Sequence, residues 1–297
     1  MGRIWRVTTA LATWALKEVF EPGSTAANDA LRDAAFQEVA LRAGIPMPRP
    51  IPATDGRILV EVGPPEDRRS VRAYSWVDLR GRDATAPLDE VAAILGRLHA
   101  IAPADDRAVD PWYRAAPNAA GWPVLVERAR AARVPWVGAL ERMGAVIADA
   151  TERIGPAPAN PDDPVTLHLD YNPDNVLVDV AGRVCVVDWE NSGAGEREAE
   201  LASAVAMFCV DGADAVPFLR AYRDAGGPAR LSGRGSFAMA AVVEANLIHT
   251  YARRALDAAD PEDAARAAFW IEDIAADAVT VDRVDRWLAA AREAGLA

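Results

Sequence analysis

Four residues have types and spacings that could do chemistry together: His168, Asp170, Asn175 and Asp188. They stand in Leu167-His168-Leu169-Asp170-Tyr171-Asn172-Pro173-Asp174-Asn175-Val176-Leu177-Val178-Asp179 and in Arg183-Val184-Cys185-Val186-Val187-Asp188-Trp189-Glu190. Short apolar runs rich in β-branched residues flank a polar loop, so a strand delivers His168 and Asp170, and Asn175 opens a hairpin strand. The return strand brings Asp188 back beside Asn175. Two oxygen ligands from neighbouring strand ends can hold Mg²⁺, a hard cation that takes one or two protein oxygens and substrate phosphates. Asp170 is left to meet an incoming hydroxyl and receive its proton, as phosphoryl transfer requires. His168 reads as a structural member of the loop, bonding backbone, and Trp189 as packing. His99 and His249, on amphipathic helical stretches, read as core or surface residues.

A fifth residue stands out by its rarity. Of 32 basic residues, 31 are Arg and one is Lys, at Lys17. Where Arg replaces Lys so widely, the surviving Lys marks a place a planar guanidinium cannot fill. A compact ammonium reaching into a pocket of phosphates and carboxylates is such a place.

The elements that must position these groups form a β-rich head and a helical body. Residues 4–9 and 13–20 read as a hairpin. Ser24 or Thr25 caps a helix over 26–43, with Ala27, Leu31, Ala35 and Val39 on one face and a stop at Gly44 and Pro46. Ile58–Val62 and Val71–Val77 read as two further strands. From Leu88 onward the expected helices are 88–101, 120–132, 136–154, 197–210, 212–225, 235–257, 261–277 and 279–295. The break at Val165–Val187 carries the chemistry described above. A boundary falls near Asp78–Ala86, dividing the chain into 1–77 and 78–297.

Composition narrows the classes. A chain of 297 residues, 51% hydrophobic and 26% charged, is an ordinary globular protein. A net charge of −12 disfavours binding nucleic acid through its phosphates and suits a cationic small substrate. Cys185 and Cys209, in apolar surroundings, make neither a disulfide framework nor a zinc site, and a cytoplasmic location is expected. No uncharged apolar run reaches the roughly 18 residues of a membrane helix. Arg3 and Arg6 ahead of Val7–Leu16 imitate a signal peptide, but Thr8, Thr9 and Thr13 dilute the stretch. Gly193-Ala194-Gly195 imitates a dinucleotide fingerprint, yet Glu196, Glu198 and Glu200 would repel a pyrophosphate there.

The pattern His-x-Asp-x-x-Pro-x-Asn-(apolar)-Leu-Val-Asp, followed by Val-Val-Asp-Trp-Glu, resembles the aminoglycoside phosphotransferase family of the protein-kinase-like superfamily. Trp-Ala-Leu-Lys, Ala-Gly-Ile-Pro-Met-Pro-Arg-Pro and Gly96-Arg-Leu-His-Ala extend the resemblance over most of 5–210. Leu169 stands where protein kinases carry Arg, Trp189-Glu190 where they carry Phe-Gly, and no Ala-Pro-Glu segment follows, which argues against a protein substrate. The resemblance implies an α+β, kinase-like fold of two lobes, a small β-rich N-terminal lobe shortened at its start and a large, mainly helical C-terminal lobe. It implies Asp170 as catalytic base, Asn175 and Asp188 as Mg²⁺ ligands, and Lys17 on the α- and β-phosphates of ATP or GTP. It places the adenine against backbone at Ser75-Trp76-Val77, through Ser75 and Val77. The acid pairing with Lys17 aligns, by its distance to Gly44, with Asp33. Glu38 lies five residues on, about 140° further around the helix, so only one of the two can do this job, and the alignment favours Asp33 over Glu38.

Three departures from the family pattern leave two readings open. Only Met1–Arg3 precede the first strand, Asp33 is one methylene shorter than the usual Glu, and Gly195-Glu196-Arg197 replaces Gly-Asp-Pro. One reading is an active kinase for a small hydroxylated, cationic acceptor, either an aminoglycoside-like antibiotic or a metabolite such as an amino alcohol or sugar. The other is a nucleotide-binding pseudoenzyme. Glu190, Asp211, Asp214 and Glu244 are candidates to line an amine-binding cleft in the helical body.

Overall fold

β-Branched and aromatic residues near the N-terminus pair as an antiparallel hairpin of β1 (Ile4–Thr8) and β2 (Thr13–Val19), with Ile4 opposite Lys17. The structure is a computed structural model and describes residues 3–19, 26–81, 84–117, 121–156 and 164–297. The helix α1 (Ala26–Arg42) follows, then β3 (Pro50–Ile51), β4 (Leu59–Val62) and β5 (Arg69–Ser75). The sheet runs β1-β2-β5-β3, with β4 also on β5. Its central pairing, β2 on β5, sets Lys17 directly opposite Arg72.

By packing the chain divides into two compact units. The first comprises Met1–Arg107, Pro164–Gly195 and Ala221–Pro228; the second comprises Ala108–Asp163, Glu196–Arg220 and Ala229–Ala297. These units run across the boundary expected at 77/78, because 78–107 and the motif segment group with the N-terminal residues, with α1 between them.

In the first unit, α1 turns a different face inward from the one its apolar spacing predicts. Leu31 is 50% exposed and Ala35 also faces solvent, whereas Asp33, Ala34, Phe36, Gln37 and Ala40 are buried. That face carries Phe36, the largest apolar residue of the helix, which packs edge-on against Trp189, and beside it Asp33 meets the buried guanidinium of Arg72. The side chain of Ala27 and the expected cap at Ser24 or Thr25 lie outside the described residues. The helix α2 (Leu88–Ile101) begins with Asp89 and Glu90, which suit the positive end of its dipole, and buries Val91, Ile94, Leu95 and Leu98. His99 is buried, its Nδ1 2.8 Å from the hydroxyl of Tyr222, so it has core duty.

The motif segment forms β6 (Val165–Leu167), β7 (Val176–Val178) and β8 (Val184–Val186), the last two paired as the expected hairpin. Asp179 closes its turn by accepting the N–H groups of Ala181 and Arg183, both at 2.9 Å. β6 pairs with β9 (Gly193–Gly195), so the Gly-Ala-Gly decoy is a strand. Two elements escaped the sequence reading: β3, only two residues long, and β9, whose glycines give no alternation to read.

The second unit is helical: α3 (Gly121–Ala131), α4 (Val137–Arg153), α5 (Arg197–Phe208), α7 (Ala238–Asp257), α8 (Pro261–Ala276) and α9 (Val281–Ala294), with the first turns of α6 (Ala215–Asp224). Leu125, Trp136, Leu140, Met143, Ile248 and Ile271 form its core. Asp260 caps α8 ahead of Pro261, and Thr280 caps α9. Among the described residues no helix is long and apolar enough to cross a membrane.

Candidate active site

The loop after β6 is held by His168. Its Nε2 lies 3.0 Å from the carbonyl oxygen of Val187 and its Nδ1 3.3 Å from the backbone N–H of Asp170. A carbonyl can only accept, so Nε2 carries the proton and Nδ1 accepts from Asp170. The buried ring packs edge-on against Trp189, centroids 4.8 Å apart, and Trp189 packs on Phe36 in turn. Both residues thus have the structural roles expected of them.

Asp170 and Asn175 are tied together through this loop. The amide of Asn175 donates to the backbone carbonyl of Asp170 at 2.9 Å. The carboxylate of Asp170 accepts from Asn172 at 2.6 Å on one oxygen and from Asn191 at 2.9 Å on the other. Burial pushes the Asp170 carboxyl above its ordinary range and the charge of Asp188 adds to the rise, while His168 and Asn191 hold it down. A carboxylate so raised is a better proton acceptor than a solvated one. Asn172 and Asn191 were not singled out from the sequence; Asn172 lies within the motif and Asn191 directly follows it, but nothing in their type distinguishes them from turn formers.

The hairpin brings Asp188 back to Asn175 as its register requires. The N–H of Val187 donates to the carbonyl of Asn175 at 2.8 Å, and Asp188 follows in the left-handed region at φ 62°. Leu169, immediately before Asp170, is also left-handed at φ 61°. Such conformations are costly for residues with a side chain and persist where the surroundings over-determine them.

Lys17 reaches this end of the hairpin from the centre of β2. Its ammonium donates to Asp188 Oδ1 and, at 2.7 Å, to Glu190 Oε2. The other oxygen of Glu190 accepts from the hydroxyl of Tyr74 at 3.2 Å. Burial would raise the Asp188 carboxyl, but its hydrogen bond with Glu190 and the charge of Lys17 bring it down to about 2. Burial and the bond to Asp188 push Glu190 up to about 7. Glu190 had been expected in an acceptor cleft of the helical body; it belongs instead with Lys17.

Asp33 is not the partner of Lys17. Its Oδ2 accepts from both terminal nitrogens of Arg72, at 3.2 and 3.3 Å, and Arg107 approaches its other oxygen at 3.5 Å. Glu38 pairs with Arg49 at 3.5 Å, so neither helix acid meets the lysine. Arg72, overlooked in the sequence among 31 arginines, is buried with its Nε unpartnered. The strand end also differs from expectation in one detail. The N–H and hydroxyl of Ser75 are both engaged by the backbone of Arg49, at 2.8 and 2.9 Å, so its N–H is not available to an adenine. Val77, two residues beyond β5, is half-buried. In the second unit Glu244, half-buried on α7, is engaged within the fold: its carboxylate accepts the N–H of Val279 ahead of α9, at 2.9 Å. Asp211 and Asp214 are exposed.

The donor set suits a hard divalent cation. The amide of Asn175 is committed to Asp170, which leaves its side-chain oxygen as the group it can offer. Asp188 offers a carboxylate that stays ionised at neutral pH. Two protein oxygens, with the remaining positions left to phosphates and water, is how Mg²⁺ is ordinarily bound beside a nucleotide.

Comparison with known proteins agrees with this geometry. The model of the phosphotransferase enzyme family matches residues 3–234. No curated protein matches the chain. Among solved structures, a spectinomycin phosphotransferase in complex with ADP and spectinomycin is similar at 12% identity and a TM-score of 0.61, covering 97% of this chain and 89% of that one. An aminoglycoside phosphotransferase from Alicyclobacillus acidocaldarius shares 18% identity at a TM-score of 0.58, covering 99% of this chain and 91% of its own. A microcompartment-associated aminopropanol kinase shares 17% at 0.53, covering 100% and 94%. At such identities the structural likeness speaks for the fold, which is the α+β kinase-like one. With the family model spanning most of its length, the chain belongs to the aminoglycoside phosphotransferase family and is an enzyme that transfers a phosphoryl group to the alcohol of a small molecule.

Proposed function

We propose that this enzyme moves the γ-phosphate of ATP, or of GTP, to a hydroxyl of an aminoglycoside-like antibiotic or a related amine-bearing metabolite. The observation that carries the reading is the ammonium of the chain's one lysine lying against Asp188, at the open end of a hairpin where the facing strand begins with Asn175, itself tied to Asp170. In this reading Asn175 and Asp188 hold Mg²⁺, which when bound spreads the charge of the phosphates. Lys17 takes the α- and β-phosphates, and the backbone near Val77 meets the adenine. The acceptor hydroxyl approaches Asp170, whose carboxylate is aimed by Asn172 and Asn191 and removes the proton as the new P–O bond forms and the bond from the γ-phosphorus to the bridging oxygen breaks, the nucleoside diphosphate leaving with that oxygen. The left-handed turn at Leu169 and the His168 brace keep that carboxylate from swinging away. A net charge of −12 favours an acceptor carrying amines. The named neighbours act in the same chemical range, on spectinomycin and on aminopropanol.

The test is thermal shift with ATP and with GTP in the presence of Mg²⁺, then turnover across a panel of aminoglycosides, amino alcohols and sugars. Stabilisation by one nucleotide, and turnover that Asp170→Asn abolishes, is the expected result. Nucleotide binding with no turnover on any acceptor would instead favour the pseudoenzyme.

A further inference from the structure

We infer that Glu190 is the positioning carboxylate of Lys17, and that Asp33 serves Arg72 instead. The inference rests on the nucleotide-binding reading above and concerns how the lysine is held when phosphates arrive.

Lys17 has two acidic partners, and they are not equivalent. Asp188 is the one that a divalent cation would engage. Once it does, the cation's own charge offsets the attraction between Asp188 and the ammonium, so another anion must keep Lys17 in place. Glu190 is built for that. Its side chain is only 12% exposed. One oxygen takes the lysine of β2 and the other the Tyr74 hydroxyl of β5, so adjacent strands of one sheet fix both ends of the carboxylate.

The register of that sheet explains why a second acid is required. Lys17 and Arg72 stand directly opposite one another on β2 and β5. Two cations paired across neighbouring strands repel unless each has its own anion. Arg72 has 5% of its side chain exposed, so water cannot serve it, and Asp33, 2% exposed, is the acid it contacts. Moving Asp33 to Lys17 would leave a buried guanidinium unpaired. Glu190, pointing in from the hairpin, completes the balance of two cations with two acids and leaves Asp188 free for the metal.

The assay is calorimetric binding of ADP and of adenosine to the full chain, with Mg²⁺ and again with EDTA. Glu190→Gln keeps the shape of the side chain, and Asp188 still pairs the lysine in the unliganded chain, so no charge is stranded. It should weaken ADP about tenfold to a hundredfold with Mg²⁺, the scale of one charge-assisted hydrogen bond. The loss should be smaller in EDTA, where Asp188 still holds the lysine. Adenosine, which has no phosphates for Lys17 to touch, should bind as to the parent. A merely structural role would weaken both ligands alike. Asp33→Leu combined with Arg72→Met removes the other pair whole and should leave ADP affinity within about threefold, since neither residue holds Lys17. The inference is overturned if Glu190→Gln binds ADP as the parent does, or if the double variant loses as much. A parent chain that binds neither nucleotide would overturn the nucleotide reading itself, and this inference with it.

Discussion

Asp33 and Arg72 form a buried ion pair whose members need each other more than the fold needs either. Asp33 is 1% exposed and Arg72 4%. The contact is one-sided: both terminal nitrogens of Arg72 converge on a single oxygen, at 3.2 and 3.3 Å, and its Nε is unpartnered. Burial pushes the Asp33 carboxyl up to about 6 in spite of the opposing pull of Arg72 and Arg107. Desolvation therefore exceeds attraction, and keeping Asp33 ionised at neutral pH costs about 3 kcal/mol. Removing one partner strands the other's charge. Asp33→Leu or Arg72→Met alone should each destabilise by about 3–5 kcal/mol, whereas the double variant should be neutral or more stable by about 1–4 kcal/mol. Arg107 survives the change because Asp105 holds it separately, at 2.6 Å. The pH dependence has a definite sign. A carboxyl whose folded value lies above its unfolded 3.8 favours folding most below about pH 4, and the benefit is lost as pH rises through 6. This residue's contribution thus makes the parent more stable at pH 5 than at pH 7.5, a difference the double variant should lack. Urea denaturation at both pH values, followed by tryptophan fluorescence, measures all four proteins. A double variant as unstable as the sum of the two singles would refute the reasoning.

Asp170→Asn should lower kcat by about 10²–10⁴-fold with little change in nucleotide affinity, measured by steady-state turnover beside calorimetry. Lys17→Arg should raise the KM for nucleotide at least as much as Lys17→Met, because a planar guanidinium does not fit between Asp188 and Glu190; a near-normal KM would show that the lysine's rarity means nothing. His168→Phe leaves the N–H of Asp170 and the carbonyl of Val187 without their partner, at about 1–3 kcal/mol each, and should lower both the melting temperature and kcat. Gly195→Ala would set a Cβ 2.8 Å from Leu169 Cδ2 and 3.1 Å from Leu167 Cδ1, and should cost about 1–3 kcal/mol and lower kcat. Gly193→Ala, whose nearest neighbour would be Leu169 Cδ1 at an ordinary 3.4 Å, should be milder on both counts.

Much of this was legible in the sequence, for identifiable reasons. Among the described residues the α-helices appear close to where their periodicity and their Pro and Gly stops place them, because local signals decide helix ends. The β7–β8 hairpin could be read because Asp179 and the valines on either side of the turn specify it locally. The inward face of α1 could not. Leu31 and Ala35 carry the apolar spacing, but the buried face is the one that sets Phe36 against Trp189 and Asp33 against Arg72, partners that lie far off in the chain. The partner of Lys17 was misread for the same cause. Alignment along a helix identifies which acid stands at a position, and cannot see that a buried arginine on the opposite strand has already claimed it. Glu190 was visible two residues after Asp188, but its role depends on Tyr74 and Lys17, which only the assembled sheet brings to it.

The motif segment also shows why strain can be stored where the chemistry is expected. Asp188 is left-handed, as is the Leu169 that precedes Asp170, and an L-residue in that region costs about 1–2 kcal/mol. Each is over-determined by contacts that a relaxed backbone would lose. For Leu169 these are the His168 bonds to Val187 and Asp170 and a side chain packed on Gly195 of β9, where an added Cβ would come within 2.8 Å of it. For Asp188 they are the Val187 bond to Asn175 and the ammonium of Lys17. The two strained residues are therefore linked through one chain of hydrogen bonds, from His168 to Val187 to Asn175 to the carbonyl of Asp170. A displacement at either end reaches the other, so the expected base and metal ligands keep their spacing as a unit, with no dependence on the mobility of either side chain alone.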